Sequence, residues 1–382
     1  MAFPSSDSLA REMDRFQTFL DAELRPHVSR WYREETRVPA EFFRAMGDGG
    51  WFGFAWKEGR LVKHAGLRES LIAEAVARIS PGVAVTTLVT SDLGMMALYL
   101  FGSEHLQQTY GPAAVRGETL LCLGNTENHA GSDVANIAMR ADRAEGGWIL
   151  NGTKAYVTNG DISDLAAVTA VTDPEAPRNR RLSMFLVNLD QDGIERKKLN
   201  KKVWIPSDLT RITFTDVFVP EDHLMGERGR GLSQVLSVFT HSRVPISGLA
   251  LGTARGAFDL AIAHGRKRTV FGERLIDFQA KAFEAADFHA RMEAARLMLY
   301  RACEAMDAGR DFRMEAAMAK YLSVDIARAV CAWSADLFGA ASVIHEHPIH
   351  KFPLDAWAVA LGEGTQDVQK LVIFRELIKL YE

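Results

Sequence analysis

Cysteine is scarce in this chain. Three occur in 382 residues, Cys122, Cys303 and Cys331, far apart and outside any CxxC pair or histidine-rich cluster. That excludes a disulfide scaffold, argues against a zinc site, and suits a reducing cytoplasm. No charge of one sign dominates either: 45 Lys plus Arg stand against 49 Asp plus Glu, a formal net charge of −4, so the basic footprint of a nucleic-acid binder is missing. Nor is there an apolar run of ~18 residues free of charge, and Met1 to Leu20 carries Ser, Asp, Arg and Glu at short intervals with no apolar h-region. A soluble, cytoplasmic protein without membrane insertion is expected. Internal repeats are also missing.

What is present divides the chain into three parts, and the length suits two or three packed domains. Over residues 1–118 the pattern is helical. Leu67, Leu71, Ala75, Val76 and Ile79 recur at helix spacing, and Phe42, Phe43 and Met46 follow Pro39, a good first-turn residue. Over 119–229 the character shifts to short β-rich runs: Trp148 to Leu150, Ala155 to Val157, Leu165 to Val171, Met184 to Val187 and Ile212 to Val219. Turn chemistry at Asn151-Gly152 and Asn159-Gly160 separates them, which predicts a β-sandwich or barrel. The basic clusters Arg178-Asn179-Arg180-Arg181 and Arg196-Lys197-Lys198 are expected between strands as solvated hairpins. Over 230–382 long helical stretches return, Val235 to Arg268, Phe278 to Ala308, Arg313 to Phe338 and Gln366 to Tyr381, and pack as a bundle of about four. The fold class is α+β, in the order α, β, α.

One short segment carries more chemistry than the rest. In Leu361-Gly362-Glu363-Gly364-Thr365, a carboxylate sits on a glycine-flanked turn just before the apolar-periodic run Val368 to Leu380. A base held between rigid elements, with bare backbone around it for a ligand to approach, has this form. So does a solvated acid at a helix N-terminus.

Other segments decide between the two. Thr126-Glu127, followed by Ala130-Gly131-Ser132-Asp133, is similar to the flavin-contacting TEPxAGSD segment of the acyl-CoA dehydrogenase family. Asn151 to Gly160 resembles that family's NGxKxWITNG, Phe214-Thr215-Asp216-Val217-Phe218-Val219-Pro220 its FxDVxVP, and Arg268-Thr269-Val270-Phe271-Gly272 its RxxFG. The Gly362 to Gln369 stretch resembles its catalytic EGTxxIQ. Five such matches in order, over nearly the whole chain, outweigh the weakness of each alone.

The resemblance implies an N-terminal helical domain, a middle β domain and a C-terminal four-helix bundle, with FAD as cofactor. It implies that Glu363 removes the α-proton of an acyl thioester while the β-hydrogen leaves as hydride to the flavin. By the family's pattern Thr126, Tyr156 and Thr158 face the flavin, Tyr156 as a wall, and Thr365 belongs to the same surface. Ser132 stands at the mouth of the thioester and pyrophosphate path. Arg268 and Phe271 reach the flavin pyrophosphate of a neighbouring subunit, which implies a homo-oligomer, a tetramer or a dimer. Val89 and Asp92 belong to the acyl pocket, and Gly362, Gly364 and Arg243 to the substrate side of the base. The substrate would be an acyl-CoA or an acyl-carrier protein, and the electron acceptor electron-transfer flavoprotein or another. Some relatives place the base on a bundle helix before an arginine; the matching pair here is Ser242-Arg243, and serine cannot act as that base.

Several positions depart from the family. Asp336 and Asp367 replace glutamines near the flavin diphosphate or adenosine, where a negative charge weakens FAD binding unless Arg266, Lys267 and Arg268 compensate. Gly362 replaces a tyrosine common in fatty-acyl members, and Thr240 an aspartate near the pantetheine arm. Asp92 is a carboxylate where a fatty chain would lie; it either caps a helix or faces solvent, or it faces the pocket and favours a short or polar acyl group. Two alternatives to the dehydrogenase stay open: a flavin-dependent monooxygenase on the same fold, and a non-catalytic member that has lost FAD.

Overall fold

The computed structural model describes residues 7–382; residues 1–6 of the N-terminal stretch read above for a signal lie outside the described residues. Helices α1 (Asp7–Glu23), α2 (Arg25–Arg33) and α3 (Ala40–Asp48) bury Phe16, Leu20, Trp31, Phe42, Phe43 and Met46 in one aromatic core. A small hairpin, β1 (Phe54–Lys57) and β2 (Arg60–Lys63), leads to α4 (Gly66–Ile79) and α5 (Pro81–Leu88). Here the helix widens: Val89–Met95 forms a π-helical turn and runs on into α6 (Met96–Phe101), before α7 (Glu104–Val115) closes the helical part. Residues 81–101 are long and apolar enough to cross a membrane, yet nearly all of them are enclosed in the protein.

The middle part is one network of eight strands, β3 (Leu121–Gly124), β4 (Arg140–Ala144), β5 (Gly147–Thr158), β6 (Leu165–Val171), β7 (Leu182–Asn188), β8 (Ile194–Lys198), β9 (Leu209–Pro220) and β10 (Leu224–Met225). They pair in the order β10-β7-β6-β4-β5-β9-β8, with β3 parallel beside β6. Every residue of β6 is buried, as expected of an apolar run at a sheet centre. The expected turn at Asn151-Gly152 is not a turn. Both residues lie inside β5, where the register against β9 shifts between Leu150 and Gly152 and again between Lys154 and Val157. Glycine serves there as a bulge: Gly152 has φ 143° and a Cβ would meet Met139 at 2.8 Å. The Asn151 side chain pairs across to Asp216, donating through Nδ2 and accepting from the Asp216 amide, each at 2.9 Å. The Asn159-Gly160 turn does end β5, with Asn159 at φ 64°. Of the two basic clusters, 178–181 lies between β6 and β7, whereas 196–198 is part of β8.

After α8 (Gly231–Lys267) come a two-residue hairpin, β11 (Thr269–Val270) and β12 (Glu273–Arg274), then α9 (Gln279–Asp307), α10 (Arg313–Phe338), the short α11 (Phe352–Val359) and α12 (Gln366–Ile378). The long α8 carries Gly248, Gly252 and Gly256 at four-residue spacing. A Cβ on each would lie 2.1–2.3 Å from the carbonyl oxygens of Ser70, Glu74 and Arg78 on α4. The two helix backbones therefore touch directly along a seam without side chains, which locks the N-terminal part to the bundle. A second lock joins all three parts: the Tyr32 hydroxyl and the Trp204 amide each donate to buried Asp355 of α11 at 2.6 Å.

Candidate active site

Glu363 occupies the loop between α11 and α12 in a left-handed backbone conformation, φ 55°, followed by Gly364 at φ 91°. A non-glycine residue there is strained by about 1–3 kcal/mol and persists only where its surroundings over-determine it. Three side chains from three helices do so. Arg243 of α8 donates from Nε to the Glu363 carbonyl at 3.3 Å. Gln369 of α12 donates from Nε2 to the carbonyls of Glu363 and Gly364 at 3.2 and 2.8 Å. Lys320 of α10, fully buried, donates to the carbonyls of Gly362 and Gly364, the latter at 2.7 Å. Thr365 caps α12 through its hydroxyl, which accepts from Val368 N at 3.4 Å.

The residue as a whole is half-buried, but its carboxylate end lies inside, and among the described residues Oε2 has no hydrogen-bond partner. Burial raises its proton affinity; the Lys320 ammonium, the Ser242 hydroxyl and the Arg243 guanidinium oppose that rise. The same burial lowers the Lys320 pKa. Ser242 thus stands beside Glu363, so the two positions that the resemblance offered for the base meet at one point. Its hydroxyl also lies 3.3 Å from the Phe239 carbonyl, and Glu363 Oε2 keeps no partner among the described residues. Gly362 has nothing within 4 Å of where a Cβ would be, so the space next to Glu363 is open.

A lip at the end of β5 carries Tyr156, which sits in the second bulge of that strand at φ 56° with 59 % of its surface exposed. A bulge re-aims a side chain, and here it turns an aromatic ring outward from a sheet. Thr126 is stitched to the same spot by the Ala155 amide, which donates to its carbonyl at 2.8 Å, and Thr158 is half-buried two residues along. Below them Glu127 accepts from the amides of Ala138 and Met139 at 2.8 and 3.0 Å and from Lys154 Nζ at 2.7 Å. Burial alone would raise the Glu127 pKa, but these partners hold it below the usual range, while burial pushes Lys154 down to about 8. Asn159 then ties this lip to the helices, donating to the Thr86 carbonyl at 2.7 Å and to Thr90 Oγ1 at 3.1 Å.

The remaining sequence candidates fall in two groups. Val89 and Asp92 are buried in the π turn, so Asp92 neither faces solvent nor caps a helix. Its Oδ1 has no partner, and burial raises its pKa to about 7 against the opposing field of Lys63, with the Glu363 charge adding to the rise. Arg268, Phe271 and Ser132 do not join this site within the chain. Arg268 ends α8 and Phe271 stands on the β11–β12 hairpin, 99 % exposed; Ser132 is also exposed, in a loop where the adjacent Asp133 pairs with Arg178. Asp336 is exposed, and exposed Asp367 pairs with Lys370 at 3.2 Å rather than with the 266–268 cluster. Thr240 bonds only its own helix, at the Leu236 carbonyl.

Lys320, Lys63 and Glu69 are polar residues at the site that sequence reasoning passed over. Lys63 Nζ donates to Glu69 Oε2 at 2.9 Å, and the other oxygen of Glu69 is buried without a partner. The available signal was position: Glu69 lies on the α4 face that buries Ile72, Ala73 and Val76, and Lys320 follows Ala316, Ala317 and Ala319 on α10.

Comparison with known proteins agrees with this layout over the whole chain. Family models match in order: the acyl-CoA dehydrogenase N-terminal domain over residues 9–118, the middle domain over 122–217 and the C-terminal domain over 229–378. Probable acyl-CoA dehydrogenase FadE25 of Mycobacterium tuberculosis is 33% identical over 385 residues, covering 98% of each chain. The caffeyl-CoA reductase-Etf complex subunit CarC of Acetobacterium woodii is 29% identical over 99% of this chain and 100% of its own. Among solved structures, a glutaryl-CoA dehydrogenase from Mycobacterium smegmatis in complex with FADH2 superposes with a TM-score of 0.90 at 26% identity, over 98% of this chain and 96% of that one. Helical part, strand network and bundle are thus the parts of one known architecture, and the chain belongs to the acyl-CoA dehydrogenase family.

Proposed function

We propose that the protein dehydrogenates an acyl thioester between its α and β carbons, using FAD, with Glu363 as the base. The observation that carries this reading is the free Oε2 of Glu363, enclosed on a left-handed turn that three helices hold in place. The residues present fit a flavin: an outward-turned aromatic at Tyr156, hydroxyls at Thr126 and Thr158 on the same lip, and open space at Gly362. Bound there, the flavin supplies the acceptor for the β-hydride. Glu363 takes the α-proton, and its raised proton affinity makes it a stronger base than a solvated glutamate. Arg243, Lys320 and Gln369 fix the turn and hence the direction of the carboxylate. The Glu363 amide, beside that carboxylate, is a donor for the charge that develops on the thioester oxygen.

The substrate is a short or polar acyl group, on coenzyme A or on a carrier protein; the buried Asp92 and the bare Gly362 support this. Electron-transfer flavoprotein as acceptor is supported by the relative named as a subunit of an Etf complex. A homo-oligomer, tetramer or dimer, in the cytoplasm completes the reading: Phe271 is bare beside Arg268, and all three cysteines are free and buried. The test is Glu363→Gln, which keeps shape and removes basicity. With FAD retained, anaerobic flavin bleaching by a panel of CoA and carrier-protein thioesters is expected to slow by ~10²-fold or more. Bleaching at the wild-type rate would overturn the assignment of the base, and oxygen consumption without thioester oxidation would favour a monooxygenase.

A further inference from the structure

Against the π turn lies a small, half-open cavity whose chemistry the dehydrogenation does not use. Glu69, Ser91 and Asp92 line it together with Trp51, Phe52 and Leu88, and its volume is about 20 Å³. One water needs roughly 10–15 Å³ on that measure, so the space takes one small polar head and nothing longer. Burial raises the proton affinity of both its acids, that of Glu69 well above the usual range and that of Asp92 to about 7. Glu69 and Asp92 are 4 % and 5 % exposed, and each presents one oxygen, Oε1 and Oδ1, with no hydrogen-bond partner. Lys63 is bonded to the other oxygen of Glu69 and, among the described residues, is the one cation that acts on both carboxylates. Asp307 and Glu363 add negative charge from behind Glu69 and from the base side of Asp92, and nearby His64 is held neutral, its pKa brought down to about 4 chiefly by burial.

The space over these oxygens is kept by a glycine. A Cβ on Gly53 would lie 2.9 Å from Glu69 Oε1 and 2.8 Å from Ser91 Oγ. The Gly53 amide meanwhile donates to Ser91 Oγ at 2.9 Å, which fixes that hydroxyl as a third wall. The cavity is also placed in line with the reaction. Asp92 belongs to the turn that begins at Val89, and it lies close enough to Glu363 for their charges to interact. On the dehydrogenase reading, an acyl chain with its α-carbon at Glu363 would reach Asp92 by running along that turn.

A buried carboxylate oxygen without a partner is costly, and a charged donor removes that cost where an apolar tail does not. We propose that Asp92 and Glu69 receive a protonated amine at the far end of the acyl group, so that the substrate is a short aminoacyl thioester. This inference rests on the dehydrogenase reading and names its substrate class.

The test compares two isosteric thioesters, 4-aminobutyryl and pentanoyl, each on coenzyme A and on pantetheine, with the holoenzyme. Bleaching gives kcat/KM, and calorimetry under anaerobic conditions gives binding. The wild type is expected to favour the amine by about tenfold or more, the effect of one charge-assisted hydrogen bond. Asp92→Asn and Glu69→Gln should each reduce that ratio by a similar factor, and Gly53→Ala should reduce it by filling the space. Using the ratio cancels general damage to a variant. Bleaching by both thioesters with a ratio near one, or a ratio unchanged in Asp92→Asn and in Gly53→Ala, overturns the amine site and leaves the dehydrogenase standing. Preferential binding of the amine without bleaching sinks the dehydrogenase reading and keeps the site. Binding of neither overturns both.

Discussion

Replacing Lys320 by methionine tests whether the turn that presents Glu363 is held by its surroundings. The ammonium is buried and donates to the carbonyls of Gly362 and Gly364. Each charge-assisted hydrogen bond is worth about 1.5–3 kcal/mol, so two contribute roughly 3–6 kcal/mol. Burying an ammonium costs about 3 kcal/mol, which methionine avoids, leaving a net loss of roughly 0–3 kcal/mol. Unfolding entropy near 2.1 cal/mol/K per residue turns that into a fall in Tm of at most about 4 °C for a chain of this length.

Activity should fall further than stability. Arg243 and Gln369 still hold the carbonyls of Glu363 and Gly364, but Gly362 is released, and the strained φ of Glu363 can relax. Displacement of a reacting group by about 1 Å costs on the order of 10²-fold. The pH dependence gives an independent readout. Lys320 opposes the burial that raises the Glu363 pKa, so its removal raises that pKa more. A base works when deprotonated; the rate of flavin reduction should therefore reach half its maximum at higher pH in Lys320→Met than in wild type. Stopped-flow reduction across the pH range and thermal melts check both. A variant with wild-type melting and an unshifted profile would refute the idea that Lys320 holds the turn or feels the base.

Two further perturbations probe the supports of the site. Lys154→Met leaves the buried Glu127 without its cation; a loss of about 3–5 kcal/mol and release of FAD on gel filtration are expected, and an unchanged melt would show that the Ala138 and Met139 amides suffice. Asp355→Asn probes the lock among the three parts: burial chiefly raises the Asp355 pKa from 3.8 to about 6, so the unfolded chain loses its proton first. Stability linked to this group is present in full below pH 3.8 and is lost as pH rises to about 6, by on the order of 3 kcal/mol at about 1.36 kcal/mol per pH unit. Denaturant melts should show that fall in wild type and not in Asp355→Asn.

The long helices and the α, β, α order were legible because their signals are local: apolar spacing over ten or more residues, and runs such as 165–171 that are apolar but for Thr169. Glu363 was legible as a base candidate because a glycine-flanked acid before a helix is itself a short-range pattern. Asn151-Gly152 misled for the same reason. The pair is a common hairpin turn, but whether it turns or bulges depends on Asp216, 65 residues away, which takes up the Asn151 side chain in the neighbouring strand. Lys320, Glu69 and Lys63 were illegible as site residues because a single polar residue on an apolar helix face declares its partner only in three dimensions. Arg268 and Phe271 lie outside the chain's own site altogether, so the resemblance alone gave them a role.

The π turn at Val89–Met95 has a consequence for how this pocket can change. A π turn carries one residue more than the helix it interrupts, and one residue corresponds to about 100° of rotation. Losing a single residue between 89 and 95 would heal the helix and leave α6 on its present face, with Met96 and Leu98 still in the core, but it would withdraw the widened turn that now carries Asp92. Gaining one more would instead turn α6 by about 100° and take those side chains out of the core. Descendants of this chain can thus exchange the side chain at position 92, or lose the turn that presents it, but cannot lengthen the wall without repacking α6.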